Sequence, residues 1–183
     1  EGIEVYRGHP DDVLDRLTGA AKQFDLDTVI NCMADNPFTD PEGIDMLVDC
    51  HISNGYDYTK TEGIPLGMFA YALERKALEK VCEIKDDIDT EIWGAYFTET
   101  GCFRCGVLSV VVKEWNFPEL RLTVDTAPDF EVVTQIYEAL NKPDVGFSGR
   151  DIIRYCREHP ELLEINAEIV QKIGHAIKLK GNE

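Results

Sequence analysis

Two aspartates follow short apolar segments, and their chemistry suits a divalent metal ion. Asp35 comes directly after the run Thr28–Ala34 and is followed by Asn36 and Pro37. Asp125 comes directly after the run Arg121–Val124. Open α/β sheets bind ligands at the carboxyl ends of their strands, so two such carboxylates would form an oxygen-lined site. Mg²⁺ prefers one or two carboxylates together with water and substrate phosphates. Each aspartate also fits a plainer role, either closing a turn or supplying charge at a helix N-terminus.

Three arginines could hold a phosphate group near these aspartates: Arg7, Arg16 and Arg121. A guanidinium binds phosphate through two parallel hydrogen bonds. Arg16 is the best candidate, because it lies on the first predicted helix, just after a predicted strand-end loop. The ordinary alternative for all three is a salt bridge with one of the many acidic residues.

A structural zinc site is a further possibility. Cys102 and Cys105 have the spacing of half such a site, and Cys156 with His159 could supply the other half. However, Cys105 leads into an apolar strand, and His159 precedes a proline as a residue at a helix end does. The six cysteines fit reduced thiols in a cytoplasmic compartment, since several lie inside apolar periodic segments.

The charge balance narrows the classes of partner. Eighteen basic and thirty-five acidic residues give a net charge of −17. This charge repels phosphate backbones and argues against nonspecific binding to nucleic acid or to anionic membranes. No stretch approaches the roughly 20 apolar residues of a membrane span. A phosphorylated substrate would therefore need a cation or a few well-placed basic groups.

Alternating strand and helix patterns predict an α/β fold, with a Rossmann-like, mostly parallel sheet and helices on both faces. The predicted strands are 3–7, 28–34, 68–73, 107–113 and 121–124. The predicted helices are 11–24, one that starts at 41, and 74–84, 126–140 and 151–158. Local capping pairs support three helix starts: Asp40 with Pro41, Thr126 with Asp129, and Ser148 with Asp151. We predict one domain over residues 1–183.

Several stretches stand in a recognisable order: Val5–Gly8 with Asp11–Arg16, Asn31–Pro37, Pro65–Gly67, Arg121–Asp129 and His159–Asn166. Together they resemble the cytidylyltransferase family that includes the spore-coat polysaccharide and acidic-sugar CMP synthetases. The resemblance implies the nucleotide-diphospho-sugar transferase fold. It also implies transfer of CMP from CTP to an acidic sugar or a phosphorylated small molecule, with release of pyrophosphate.

The resemblance also implies roles for individual residues and makes a homodimer possible. The residues concerned are Asp35 and Asp125 as catalytic Mg²⁺ ligands, Arg16 and Asn31 near the nucleotide, and Pro65 and Gly67 near the acceptor. Tyr71, which follows this loop and departs from the family pattern, is a further candidate for binding the acceptor. In such a mechanism the acceptor attacks the α-phosphate in line, and the metal offsets the charge on the transferred group.

Two departures from the family pattern qualify this expectation. The family's opening unit, a strand and an arginine- and glycine-bearing loop that grips the triphosphate, has no counterpart, and the chain begins where that unit would end. If Glu1 is the true start, this departure predicts little catalysis by the chain alone, and it leaves a noncatalytic binding or dimerisation domain as the alternative. Around the acceptor, Phe69, Tyr71 and the stretch Asp89–Glu91 differ from the usual pattern, which predicts a different acceptor.

Overall fold

A computed structural model describes residues 2–109, 114–143, 145–174 and 176–181. Its strands are β1 (Thr28–Asn31), β2 (Tyr58–Glu62), β3 (Tyr71–Glu74) and β4 (Cys105–Ser109). Its helices are α1 (Val13–Gln23), α2 (Pro41–Asn54), α3 (Arg75–Ile84), α4 (Ala95–Thr98), α5 (Ala127–Leu140), α6 (Gly149–Glu158) and α7 (Glu161–Ile165).

The sheet is mixed, so the prediction of a mostly parallel sheet is borne out only in part by the described strands. Their order is β1-β3-β2-β4. β3 is antiparallel to both β1 and β2, whereas β2 and β4 are parallel. The cause is the connection from β2 to β3, which returns the chain through a short loop instead of a crossover helix.

The helices cover both faces of this sheet, as predicted. Consecutive strand residues point to opposite faces. Ala72 of β3 belongs to an apolar cluster with Leu47 of α2. Its neighbour Leu73 belongs to a second cluster with Leu14 of α1 and Leu78 of α3. A third cluster joins α5, α6 and α7 beside the sheet.

The predicted helices are confirmed, and three of them begin at the predicted caps, which act over a few residues. Asp40 accepts hydrogen bonds from the backbone amides of Glu42 and Gly43, and Pro41 is the first residue of α2. Thr126 with Asp129, and Ser148 with Asp151, form reciprocal capping boxes at α5 and α6. Such caps satisfy amides that have no partner inside the helix.

Two predicted strands are wrong. Residues 3–7 do not pair with any strand among the described residues, and Ile3 and Val5 are 80% and 65% exposed. Residues 121–124 make a single bridge, from Arg121 to Leu66, instead of a strand. The pattern of apolar residues in 121–124 reflects burial. A buried loop produces the same pattern as a buried strand, so the pattern does not distinguish the two.

The other predicted strands overlap with observed ones but have different bounds. β1 is shorter than the predicted 28–34, and β3 lies later than the predicted 68–73. β4 overlaps the predicted strand 107–113, whose last residues, 110–113, lie outside the described residues. None of the helices in the described parts of the chain has the length and apolar character that crossing a bilayer requires.

Candidate active site

A pocket of about 640 Å³ lies beside the end of β1, where four loops meet the segment after α7. The loop after β1 and the segment 121–126 are joined directly, because the Val124 amide donates to the Asp35 carbonyl at 2.9 Å. The segment after α7 closes another side through Gln171 and Lys172. The pocket thus depends on loops from distant parts of the sequence.

Asp35 and Asp125, the two aspartates that the sequence singled out, both line this pocket. The loop that carries Asp35 is held by a turn, in which the Asn36 amide donates to the Met33 carbonyl at 3.0 Å. Asp125 lies just before α5, and its side chain is 41% exposed. The fold therefore brings these two carboxylates to one cavity, although the segment before Asp125 is not a strand.

Asp35 is the least satisfied carboxylate of the pocket. Its Oδ1 atom is buried and has no hydrogen-bond partner among the described residues. Burial raises the pKa of Asp35, and the charges of Asp125 and Glu91 raise it further. Carboxylate oxygens with unused capacity and a surplus of nearby negative charge fit a hard divalent cation such as Mg²⁺. Within the described residues no group of three or more His, Cys, Asp or Glu side chains could hold a metal ion, so a cation in this pocket would take its remaining ligands from water and substrate.

Asp125 is held by a neighbouring arginine. The Arg121 Nη2 donates to Asp125 Oδ2 at 2.6 Å, and the Arg121 Nε donates to Asp129 Oδ1 at 2.8 Å. Asp129 is completely buried. Burial alone would raise its pKa, but Arg121, Asn166 and Thr126 lower the pKa of Asp129 to about 2. Arg121 thus follows the ordinary alternative for arginines in this acidic chain and pairs with neighbouring carboxylates.

Aromatic rings form another wall of the pocket. Tyr71 packs edge-on against Phe69 and Trp93, with ring centroids 5.5 and 4.9 Å apart. Burial raises the pKa of Tyr71, and the negative charge of Asp35 adds to that effect. Tyr71 therefore lines the same pocket as Asp35 and Asp125, and its role in binding the acceptor stays a prediction. At the rim, Lys172 is paired with Glu91.

The other residues expected near substrates lie outside this lining. Arg16 donates to the carbonyls of His9 and Pro10, at 2.6 and 2.9 Å, and so braces the turn before α1. Asn31 is the last residue of β1 and pairs with Tyr71 of β3. The structure brings neither of them to the pocket, and the assignment of both to the nucleotide stays a prediction.

Pro65 and Gly67 are not among the residues that line the pocket, but Gly67 lies against the backbone of Leu122 and Thr123. Gly67 has φ +97°, and a Cβ there would lie 2.3 Å from the Thr123 amide nitrogen. Only glycine permits this backbone and this approach, which lets the Leu122 amide bond to the Leu66 carbonyl at 2.7 Å. Leu66, between the two predicted residues, is the one that lines the pocket.

The proposed zinc ligands do not come together as a metal site in the described residues. Cys156 is buried in the core cluster of α5, α6 and α7, and burial raises its pKa to about 12. Cys102 and Cys105 are exposed, and the Cys105 thiol donates to the Phe97 carbonyl. These cysteines therefore behave as a core thiol and two surface thiols.

Comparison with known proteins identifies the family. A sequence model of the family described as Cytidylyltransferase matches residues 2–97, which is over half of the 183 residues. The chain belongs to the cytidylyltransferase family. Membership of this family identifies the chain as a nucleotidyltransferase. Its pocket is lined by the two carboxylates that the sequence singled out.

Two relatives and one solved structure extend this similarity. The uncharacterised protein MJ1063 of Methanocaldococcus jannaschii is 32% identical over 93% of this chain and 70% of its own length. The spore coat polysaccharide biosynthesis protein SpsF of Bacillus subtilis is 27% identical, over 88% of this chain and 68% of its own. A cytidylyltransferase from Leptospira borgpetersenii is 22% identical but has the same fold, with a TM-score of 0.77 over 95% of this chain and 72% of its own.

Several pocket residues of this cytidylyltransferase domain have no signal in the sequence. Gln171 and Lys172 lie after the last helix, and Trp93 lies in a segment, 85–103, without clear periodicity. The sequence marks Asp129 only as half of a capping box. Its pairing with Arg121 depends on how the loop turns into α5, so the spacing of the two residues is compatible with the ion pair but does not predict it.

Proposed function

We propose that this domain is a Mg²⁺-dependent cytidylyltransferase that transfers CMP from CTP to a small-molecule acceptor and releases pyrophosphate. One observation carries the proposal beyond family membership. Asp35 and Asp125 line the same pocket, and Asp35 keeps a buried oxygen without a hydrogen-bond partner among the described residues. An unpartnered buried oxygen is costly to stability, so its retention suggests a ligand that satisfies it.

In the proposed reaction, an acceptor oxygen forms a bond to the α-phosphorus of CTP while the bond to pyrophosphate breaks. Asp35 and Asp125 would hold the metal ion at the place where the triphosphate and the acceptor meet. When bound, the ion supplies positive charge that offsets the charge on the phosphates and orients them. The aromatic side chains Phe69 and Tyr71 line the same cavity.

For the acceptor, we propose an acidic sugar or a phosphorylated small molecule, and for the product a role in polysaccharide biosynthesis. The name of the relative SpsF, a spore coat polysaccharide biosynthesis protein, supports the second point. We propose that Lys172, at the pocket rim, binds an anionic acceptor. Its partner in the structure is Glu91, and both side chains are well exposed. Exposed ion pairs contribute little to stability and exchange partners readily.

Thermal unfolding with Mg²⁺ and CTP tests this proposal. A ligand at about 100 times its dissociation constant stabilises the folded state by about 2.7 kcal/mol, which is a readily measured shift. We expect CTP with Mg²⁺ to stabilise the domain more than ATP, GTP or UTP do. Asp35→Asn and Asp125→Asn should abolish the response to CTP while the domain remains folded. In a chain that carries the relatives' additional length, the same changes should abolish the release of pyrophosphate.

The matched control is Asp45→Asn, which changes an exposed aspartate of α2. It should respond to CTP as the wild type does. Full CTP response in either pocket variant would remove the metal assignment. Absence of any nucleotide response in the wild type, measured also in a chain that carries the relatives' additional length, would favour the noncatalytic alternative, a binding or dimerisation domain.

A further inference from the structure

Arg121 occupies an unusual position beside the pocket, because its guanidinium group contacts three different side chains. It is 9% exposed. Nε and Nη2 donate to the two oxygens of Asp129, at 2.8 and 3.3 Å, and Nη2 also donates to Asp125 Oδ2 at 2.6 Å. Nη1 donates to Gln171 Oε1. These four bonds use most of the five N–H donors of a guanidinium group.

Asp129 fixes the plane of this guanidinium group and is itself fixed. Its carboxylate accepts from the Thr126 amide at 3.0 Å, from the Thr126 hydroxyl at 2.9 Å and from the Asp125 amide at 3.2 Å. Asn166 Nδ2 adds a further bond at 2.9 Å. Backbone and side-chain donors from two segments therefore hold Asp129, which leaves the arginine a single favourable orientation.

This chain of contacts ends at Asp125. Arg121 binds two acids, and Asp125 is the one that lines the pocket and has a substantially exposed side chain. A lysine could supply the charge but could not bind both carboxylates in one plane, since its ammonium group is a point charge. The arrangement thus orients the Asp125 carboxylate as well as neutralising it. Partners that orient a ligating carboxylate commonly matter about tenfold or more for metal affinity.

We propose that Arg121 is a positioning residue that holds the Asp125 carboxylate in the orientation that binds the divalent cation. This inference rests on the proposed function, since it takes Asp125 as a metal ligand. Arg121 acts through Asp125 and not by binding the nucleotide phosphates, because four of its five donors are already engaged by Asp125, Asp129 and Gln171. Through its hydrogen bond to Gln171, Arg121 also supports the segment after α7, which closes the pocket.

The test measures binding of Mn²⁺ alone, without nucleotide, by the loss of the free-ion paramagnetic resonance signal. The variants are Arg121→Lys, Asp125→Asn and the two combined. We expect Arg121→Lys to weaken Mn²⁺ binding about tenfold. In the Asp125→Asn background the same change should have no further effect, because the residue through which Arg121 acts is already lost.

The control is Arg75→Lys, which alters an arginine paired with the exposed residues Asp25 and Asp27 away from the pocket. It should bind Mn²⁺ as the wild type does. If Arg121→Lys does not fold, Arg121→Gln combined with Asp129→Asn removes the buried charge pair together and should show the same tenfold loss.

The outcomes separate this inference from the proposed function. If Asp125→Asn binds Mn²⁺ as the wild type does, the metal assignment fails, and the positioning role fails with it. If Asp125→Asn weakens binding but Arg121→Lys does not, only the positioning role is overturned. Additive effects in the combined variant would also overturn it, because they would mean that Arg121 acts on the metal independently of Asp125.

Discussion

Two aspartates, Asp12 and Asp35, have buried carboxylate oxygens but opposite surroundings. Asp12, at the start of α1, is 4% exposed and accepts from the Lys85 ammonium group, from the Thr90 hydroxyl at 2.9 Å and from the Asp15 amide at 3.0 Å. Asp35 leaves Oδ1 buried without a partner among the described residues. The first carboxylate fastens the segment after α3 to α1, whereas the second faces the pocket.

The pKa values of the two aspartates move in opposite directions. Burial raises the pKa of each, but the Lys85, Asp15 and Thr90 hydrogen bonds bring that of Asp12 below its usual range. At Asp35 the repulsion of Asp125 and Glu91 adds to the effect of burial, and the pKa is raised. The fold can therefore satisfy a buried carboxylate completely, and this contrast supports the proposal that the unpartnered oxygen of Asp35 serves ligand binding at some cost in stability.

The largest expected effect follows from removing the cation that pairs with Asp12. Lys85→Met should lower the free energy of unfolding by about 3 kcal/mol, because it leaves a buried carboxylate without its countercharge. Urea unfolding monitored by circular dichroism measures this. The control is Lys22→Met, which breaks an exposed pair with Glu79 and should cost about 0.5 kcal/mol or less. A loss below about 1 kcal/mol in Lys85→Met would contradict the structural role of the Asp12 pair.

A smaller effect concerns acid pH and Asp129, another fully satisfied carboxylate. Its pKa falls from 3.8 to about 2 on folding, so its contribution to stability is present above pH 3.8 and is lost as the pH falls through about 2. The difference in unfolding free energy between wild type and Asp129→Asn should therefore shrink by about 2 kcal/mol between about pH 5 and pH 2. A difference that stays constant over this range would show that Asp129 is not held as the structure describes.

The smallest expected effect has the opposite sign and concerns Asp35. Asp35→Asn removes a repelled, partly desolvated charge, so at about pH 7 the free energy of unfolding should rise by about 1 kcal/mol. Because the pKa of Asp35 is raised, this advantage should diminish as the pH falls and wild-type Asp35 takes up its proton. Urea unfolding at neutral pH and at about pH 4 tests both points. A clear destabilisation at neutral pH would mean that Asp35 is a structural turn residue.

The sequence predicted the helices better than the sheet, and the reason is the range of the interactions. The cap at Asp40 and the capping boxes at Thr126 and Ser148 depend on residues two or three positions away. The direction of β3 depends on which strands lie beside it. Residues 3–7 could form a strand only beside a partner, and no described strand pairs with them. Neither fact is written in the local pattern.

The sequence by itself also determined the family and the two candidate carboxylates, since Asp35 and Asp125 stand in recognisable motifs. Only the tertiary structure decided how these carboxylates differ. Asp125 is oriented by Arg121 and Asp129, while Asp35 keeps an oxygen unpartnered within the described residues, and Gln171 and Lys172 reach the same pocket from the segment after α7. The hydrogen bonds that Arg121 and Asp129 form with Gln171 and Asn166 arise between segments that meet only in the folded chain, so no spacing along the sequence reveals them.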